Sequence, residues 1–309
     1  MPHAVLVVDK PIGPTSHGVV ARLRKALGTR AMGHAGTLDP AASGVLVVTI
    51  GEATKLVPYL SGQPKRYAAT ITFGRSTTTC DAQGETVAQA AIPDDVVAEL
   101  GSLARHEPSD GRIARALEAE RRRREQVPPV FSAVRLAGRR SYDRARRGEQ
   151  LSLPPRAVSA STIEVIGATD SSLELALLVS KGYYVRSLAS DLGEAIGLPA
   201  HLSSLRRTAS GPFTIEEATS PCAPPDRIAR AFVSLAVAVA RIMPTVCLTD
   251  EGARRASHGQ GLGPAHFATP APDGLSAWLG PSGDLLAIGR SIAEDRFAVR
   301  RGFGCPTSP

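Results

Sequence analysis

The sequence predicts a mixed α/β protein made of a large first domain and a small β-rich second one. Strand-like and helix-like patterns both run through residues 1–243, but they do not alternate strictly, which favours a mixed α/β (α+β) fold over a doubly wound one. Beyond Pro244, short apolar pieces lie between Gly and Pro, which is typical of a β-rich domain over residues 244–309. A chain of 309 residues with 43% hydrophobic content can bury two such cores.

The first elements follow from simple patterns. The apolar run 5–8 predicts a buried strand. Ser16 is then placed to cap a helix that ends at Gly28. The apolar face of this helix consists of Val19, Val20, Leu23 and Leu27.

The stretch 33–40, Gly-His-Ala-Gly-Thr-Leu-Asp-Pro, predicts a shaped loop before a buried strand. Pro40 disfavours the α region for Asp39, and the two glycines allow backbone angles that other residues avoid. The apolar run 45–50 follows and predicts the strand. The loop therefore presents one carboxylate, that of Asp39, from a rigid base.

The remaining elements are predicted from periodicity. The predicted helices cover 53–60, 94–103, 185–196 and 228–242, with Val185, Leu188, Ala189, Leu192 and Ile196 on one face of the third. One predicted strand begins at Lys65, and in it Ala69, Ile71 and Phe73 alternate with threonines. Two further predicted strands, 162–166 and 173–179, form a pair. A strand over 128–135 and a basic helix over 141–147 are also expected. Residues 105–126 show no core face and predict an exposed or partly disordered insertion at 105–124.

Composition narrows the class of protein. The four cysteines form no CxxC pair and no cluster of metal-ligand spacing, so we expect no metal and a reduced thiol set. No signal peptide precedes the first strand, and the longest apolar stretch, 231–240, is too short to span a membrane. These features predict a cytoplasmic protein without a membrane segment.

Positive charge is concentrated in one segment. The chain carries 36 Lys and Arg against 29 Asp and Glu, a formal charge of +7. Between Arg112 and Arg147 there are twelve arginines and four acids, a local charge of +8. Guanidinium groups grip phosphate bidentately, so an RNA contact is one interpretation of this segment, and of the run Arg121–Arg124 within it. A solvated charged helix is the other.

Several short motifs occur together in a fixed order over most of the first 215 residues. They are Lys10-Pro11 with Gly13 and Thr15-Ser16, the stretch 33–40, Gly51–Lys55, Lys65-Arg66-Tyr67, Pro128–Arg135, Lys181–Arg186 and Leu205-Arg206-Arg207. In this combination the chain resembles the bacterial tRNA pseudouridine-55 synthases of the TruB type.

The resemblance implies a reaction and an architecture. It implies isomerisation of the T-arm loop uridine, position 55, of tRNA to pseudouridine by base flipping, without a cofactor or an obligatory protein partner, by a monomer. It also implies a catalytic domain around a mostly antiparallel sheet and a C-terminal PUA-like RNA-binding domain. The family commonly has an acid where Thr78 stands, although Asp81 is retained.

The resemblance also assigns roles to residues. Asp39 matches the catalytic aspartate, Arg186 the arginine paired with it, and Tyr67 the tyrosine that stacks on the target base. Tyr184 and Leu205 match substrate contacts, with Tyr183 expected to face elsewhere, and His34 matches the residue near the position that the flipped base leaves. The basic residues expected to contact phosphate or support the site are Lys10, Lys65, Arg66, Arg206 and Arg207.

The reaction breaks the bond from ribose C1′ to base N1 and forms one from C1′ to C5. A carboxylate can serve as a covalent nucleophile. The residues leave open whether Asp39 attacks the base, attacks the sugar or takes a proton from the sugar.

Three other functions compete with this interpretation. The first is a tRNA-binding or tRNA-folding protein with incidental catalysis, and the second is a guide-RNA-directed synthase of the archaeal or eukaryotic type. The third is a basic DNA-binding protein, but the sequence has no helix-turn-helix, zinc-finger or heptad signature.

Overall fold

The structure is a computed structural model that describes residues 3–129, 135–136, 139–140 and 153–304. The strand and helix predicted over 128–135 and 141–147 lie almost entirely outside the described residues. In the parts that are described, a mixed α/β fold is built around one large sheet, which confirms the predicted fold class.

The central sheet has nine strands. Its strands are β1 (Ala4–Lys10), β2 (Met32–Ala35), β3 (Ser43–Ile50), β4 (Lys65–Phe73), β11 (Ala160–Thr169), β12 (Ser172–Val179), β13 (Ala200–Ser210), β14 (Phe213–Thr214) and β15 (Phe232–Ser234). The main path of the sheet runs β11-β12-β4-β13-β3-β1-β15, with β2 paired to β3 and β14 paired to β13. Among the described pairings of this sheet, β13 with β3 is parallel and the others are antiparallel, so the sheet is mostly antiparallel as predicted.

Short ladders complete the first part of the chain. They pair β5 (Arg75–Thr77) with β6 (Thr86–Gln89), β7 (Glu125–Gln126) with β10 (Arg156–Ala157), and β8 (Arg135–Leu136) with β9 (Arg139–Arg140).

Helix α1 (Ser16–Leu27) follows β1, and its cap differs from the prediction. Thr15, not Ser16, is the N-cap, because the Thr15 side chain accepts from the Gly18 N–H. Ser16 lies inside the helix and is buried. The predicted end at Gly28 is confirmed, since Gly28 adopts a left-handed conformation with φ of 62°. The shift of one residue frees the Ser16 hydroxyl for another contact.

The helical segment predicted over 53–60 is a 3₁₀ helix, Gly51–Leu56, that continues into α2 (Val57–Ser61). The helix predicted from residue 94 is confirmed as α3 (Asp94–Ala104), and the helix from residue 185 as α5 (Val185–Ile196). All five residues predicted for the apolar face of α5 are buried.

The prediction that residues 105–126 lack a core face is wrong. They contain α4 (Arg112–Arg122), which buries Ile113, Ala116, Leu117 and Glu120. The Glu99 carboxylate accepts from the backbone N–H groups of Ile113 and Ala114, and so neutralises the helix N-terminus. Arg121 donates to the Ile163 carbonyl oxygen at 2.7 Å. Helix α4, including Arg121, is therefore packed on the central sheet.

The single helix predicted over 228–242 is also wrong. The chain forms α6 (Pro225–Arg230), strand β15 and α7 (Leu235–Ala240). Strand β15 breaks the helix because it pairs with the edge of β1, and the Ser234 hydroxyl then caps α7 by accepting from Val237 N–H.

The last part of the chain carries a four-stranded sheet and one helix of eight residues. Its strands are β16 (Thr245–Cys247), β17 (Leu275–Leu279), β18 (Leu285–Ala293) and β19 (Arg296–Gly302), and its helix is α8 (Asp250–Ser257). One cluster around Trp278 belongs to this part alone. A second cluster joins Ile288 and Phe303 to Val5 and Val45 of the central sheet. The division into domains 1–243 and 244–309 stays a prediction.

No helix in the described parts of the chain is both long enough and apolar enough to cross a membrane.

Candidate active site

The loop that carries Asp39 is fixed to the segment before and at the start of α1. The Ser16 hydroxyl donates to the Leu38 carbonyl oxygen at 2.9 Å and accepts from the Leu38 N–H at 2.8 Å. The Gly13 N–H donates to the Pro40 carbonyl oxygen at 2.9 Å. Backbone contacts on both sides of Asp39 thus set the position from which its carboxylate projects.

A buried arginine holds the same loop from the sheet side. Arg207 of β13 is 1% exposed. Its Nε donates to the Val45 carbonyl oxygen at 2.6 Å, and its Nη2 to the Gly36 carbonyl oxygen at 3.0 Å. Gly44 makes this approach possible, because a Cβ there would lie 2.2 Å from the Arg207 carbonyl oxygen. Arg207 therefore ties the loop to the parallel junction of β3 and β13.

Lys10 is also buried, at the end of β1. Its Nζ donates to the carbonyl oxygens of Pro11 and Pro14, both at 2.9 Å. Burial is the main cause that lowers the pKa of Lys10 to about 8. The Asp39 carboxylate opposes this shift, and the Arg207 guanidinium adds to it. The ammonium group thus stabilises the turn that packs against the Asp39 loop.

Asp39 and Arg186 form an ion pair. Arg186 Nη2 lies 2.9 Å from Asp39 Oδ2, and the arginine side chain is 6% exposed whereas the aspartate is 42% exposed. Arg186 Nη1 donates to the Thr79 carbonyl oxygen at 3.1 Å, and Nε lies 3.8 Å from Asp81 Oδ2. A guanidinium group held on several sides orients the exposed carboxylate without covering it.

A cleft of about 280 Å³ opens beside this ion pair. Its described lining contains seven of the predicted residues, which are Asp39, Tyr67, Tyr184, Arg186, Leu205 and the basic residues Lys65 and Arg207. Tyr67 projects from β4, Leu205 from β13 and Tyr184 from the start of α5. The described lining includes four cationic side chains (Lys65, Lys181, Arg186 and Arg207) and one carboxylate. Aromatic faces and positive charge in one cleft suit a nucleotide.

The two neighbouring tyrosines differ in burial, although the described lining of the cleft includes both. Tyr183 is buried, and its hydroxyl donates to Glu120 Oε1 at 2.8 Å. Burial, reinforced by the Glu120 carboxylate, raises the pKa of Tyr183. Tyr184 is only half-buried and lines the cleft.

His34 is not part of the described cleft lining. It lies on β2, opposite Val48 of β3, and its ring meets that of His17 edge to face at 5.0 Å between centroids. Its Nδ1 is buried and finds no hydrogen-bond partner among the described residues. Burial lowers the pKa of His34 to about 4, and the nearby His17 and Arg207 add to the shift.

The basic residues divide into two groups. Lys10 and Arg207 are buried and donate to backbone oxygens, which favours support of the site over contact with phosphate. Arg206 is 41% exposed and pairs with Asp9, so its RNA contact stays a prediction. The described residues contain no group of three or more His, Cys, Asp or Glu side chains placed to hold a metal ion.

The sequence analysis missed three contributors to the site. The Ser16 hydroxyl and the Thr79 carbonyl bind residues that are distant in the sequence, so no local pattern indicates their roles. Lys181 is exposed at the cleft and is the first residue of the motif 181–186, so the motif could have indicated it.

Two solved structures illustrate the similarity of the fold to known proteins. A Cbf5-Nop10-Gar1 complex matches with a TM-score of 0.67 and 27% identity, covering 94% of this chain and 79% of that one. An H/ACA RNP bound to a substrate RNA containing 2′-deoxyuridine matches with a TM-score of 0.71 and 25% identity, covering 98% and 85%. The fold of this chain is therefore shared with a class of proteins that have been solved in such complexes, one of them with a substrate RNA bound.

Sequence comparison then gives the family. The TruB family pseudouridylate synthase model (N terminal domain) matches residues 24–185, and the tRNA pseudouridylate synthase B C-terminal domain matches residues 186–221. Curated relatives called tRNA pseudouridine synthase B include one from Thermobifida fusca, 43% identical over 96% of each chain. Another, from Cereibacter sphaeroides, is 43% identical over 92% of this chain and 91% of its own. The chain belongs to the TruB family of pseudouridylate synthases.

Proposed function

We propose that this protein converts the uridine at position 55 in the T-arm loop of tRNA to pseudouridine. The observation that carries the proposal is the Asp39 carboxylate, exposed at the cleft and held by the buried Arg186 at 2.9 Å. The reaction breaks the bond between ribose C1′ and base N1 and forms the bond between C1′ and C5. C5 loses its proton and N1 gains one, so the isomerisation requires no external oxidant or group donor.

Asp39 is the proposed catalytic group, and Arg186 the group that orients it. A guanidinium partner fixes the direction of the carboxylate, and each of the three chemical roles considered for Asp39 requires that carboxylate to face the substrate. The exposure of Asp39, 42% against 6% for Arg186, supports a role in which the carboxylate meets the substrate and the arginine stays behind it.

Tyr67, Tyr184 and Leu205 are the proposed contacts of the base. Aromatic faces and an apolar side chain in the lining of one cleft fit an extracted pyrimidine. Stacking in this cleft would offset the few kcal/mol that extraction of a base from folded RNA costs.

His34 is the proposed contact near the position that the base leaves. It lies on β2, which leads directly into the Asp39 loop, while Asp39 itself faces the cleft. Its neutral form, favoured by a pKa lowered to about 4, suits a position among stacked bases better than a charged imidazolium.

The proposed substrate is tRNA alone, modified by a monomer without a protein partner. The similarity to curated tRNA pseudouridine synthase B proteins over 96% of the chain supports tRNA as the substrate class. Thr78 stands where the family commonly has an acid, but the three residues proposed for catalysis and base contact, Asp39, Tyr67 and Arg186, are all present.

The test is incubation of the purified protein with unmodified tRNA transcript, followed by mapping of pseudouridine at single-nucleotide resolution. We expect one modified T-loop uridine with the wild type and none with Asp39→Asn. Asp170→Asn is the matched control, because Asp170 is exposed at the turn between β11 and β12.

Two results would contradict the proposal. Product formation by Asp39→Asn at the wild-type rate would exclude Asp39 as the catalytic group. Tight tRNA binding by a folded wild type that forms no product would favour the tRNA-folding function or a dependence on a missing partner.

A further inference from the structure

Gln126 makes two hydrogen bonds to the backbone of one cleft residue. Its Oε1 accepts from the Tyr184 N–H at 2.7 Å, and its Nε2 donates to the Tyr184 carbonyl oxygen at 3.0 Å. The side chain is 2% exposed although it is polar. An amide can accept from an N–H and donate to a C=O at once, and these partners fix which end is oxygen.

These bonds act where α5 begins. Tyr184 is the N-cap of α5, and its own side chain makes no capping hydrogen bond. The Tyr184 carbonyl oxygen also accepts from the Leu188 N–H at 3.2 Å, so Gln126 holds the residue whose carbonyl starts the helix. Arg186 is the second residue of that helix, and its position depends on where the first turn begins.

The stretch around Gln126 is itself anchored to the start of α5. Gln126 pairs with Arg156 in the β7–β10 ladder, and the next residue, Val127, accepts from the Ser187 hydroxyl at 3.0 Å. Six residues earlier, Glu120 accepts from the Tyr183 hydroxyl. One short segment of chain therefore fixes both tyrosines of the motif and the first turn of α5.

We infer that Gln126 is a positioning residue for pseudouridine formation, and this inference rests on the proposed function. Gln126 is not among the described residues that line the cleft, and its side chain forms hydrogen bonds to the Tyr184 backbone. It acts through Tyr184, whose ring lines the cleft, and through Arg186, which orients Asp39. Its loss should slow the chemical step and leave tRNA binding nearly unchanged.

The experiment compares two Gln126 variants in single-turnover assays on tRNA transcript, with tRNA affinity measured separately by filter binding. Gln126→Met removes both hydrogen bonds, and we expect the rate constant to fall about tenfold or more while the Kd for tRNA stays within about twofold. Gln260→Met, at an exposed position outside the site, is the matched control and should match the wild type.

Gln126→Glu separates the donor from the acceptor. An ionised carboxylate in place of the amide would accept from the Tyr184 N–H but repel the Tyr184 carbonyl oxygen, whereas a protonated carboxyl group again donates to that oxygen. The rate of Gln126→Glu relative to the wild type should therefore rise severalfold between pH 8 and pH 6. Gln126→Met should show no such rise.

Three results would overturn the inference. They are a Gln126→Met rate within about twofold of the wild type, a loss of rate explained by an equal loss of tRNA binding, and a relative rate of Gln126→Glu that does not change with pH. Amide hydrogen exchange in the free protein gives an answer that needs no turnover. Exchange at the Tyr184 and Leu188 N–H groups should accelerate in Gln126→Met, whether or not the wild type acts on tRNA. An inactive wild type with this acceleration in the variant would reject the proposed function but not the positioning of Tyr184 by Gln126.

Discussion

Replacing Gly44 with alanine should destabilise the protein at the junction of β3 and β13 that supports the Asp39 loop. Gly44 has a φ of +101°, and a Cβ there would lie 2.2 Å from the carbonyl oxygen and 2.8 Å from the nitrogen of Arg207. Both are backbone atoms of the parallel pair between β3 and β13. They cannot rotate away as a side chain could, so the strands must separate.

The cost has two parts. A non-glycine residue at such a positive φ costs about 1–3 kcal/mol, and forcing an extra methyl group into a packed site costs about 1–3 kcal/mol more. Gly13→Ala isolates the first part, because Gly13 has a similar φ of +109° but no atom within 4 Å of its added Cβ. We expect Gly44→Ala to lower the free energy of unfolding by about 4 kcal/mol and Gly13→Ala by about half of that.

Urea unfolding followed by circular dichroism and by the fluorescence of Trp278 measures both variants. The tryptophan is the single one in the chain and is buried. If Gly44→Ala and Gly13→Ala lost the same free energy, the close approach of β3 to Arg207 would not restrict residue 44, and the reasoning would fail.

Two further predictions concern charge. Because burial lowers the pKa of His34 to about 4, the unfolded chain binds a proton at this residue between pH 6.5 and 4 that the folded chain does not, so stability falls as the pH drops through that range. Urea titrations at pH 6.5 and pH 4.5 should show a smaller fall in the free energy of unfolding for His34→Phe than for the wild type. An equal fall would contradict the lowered pKa of His34. Arg206→Gln should weaken tRNA binding a fewfold and lower the slope of log Kd against log salt by about one, if this half-exposed arginine contacts phosphate. An unchanged salt slope would restrict Arg206 to its ion pair with Asp9.

Much of the sheet and one long helix could be predicted from the sequence because their burial follows a simple period. In β4, Ala69, Ile71 and Phe73 are buried as their alternation predicts, and α5 buries the whole predicted face. Burial on one side of a sheet or helix is a local property of the sequence, so local patterns can identify it.

The wrong predictions share a different cause, which is contacts between distant parts of the chain. Helix α4 has a core face that includes a carboxylate, Glu120, which is stable there because Tyr183 and Arg123 bind it. The helix predicted over 228–242 is broken because β1 offers an unpaired edge to Phe232–Ser234. Neither partner is visible in the local sequence.

The candidate site shows the same division. The motifs identify Asp39, Tyr67, Tyr184, Arg186 and Leu205, which line one cleft. They do not identify two further groups that hold these residues in place. Ser16 reaches Leu38 across 22 residues, and Gln126 reaches Tyr184 across 58.

The cluster shared by the central sheet and the C-terminal sheet affects how the protein can be divided. Phe303 and Ile288 pack with Val5 and Val45, and the Val45 carbonyl oxygen accepts a hydrogen bond from Arg207, which also holds the Asp39 loop. A chain shortened at residue 243 would expose this apolar surface to water. The C-terminal sheet therefore covers one side of the core of the central sheet, and the two parts should unfold cooperatively as a single unit.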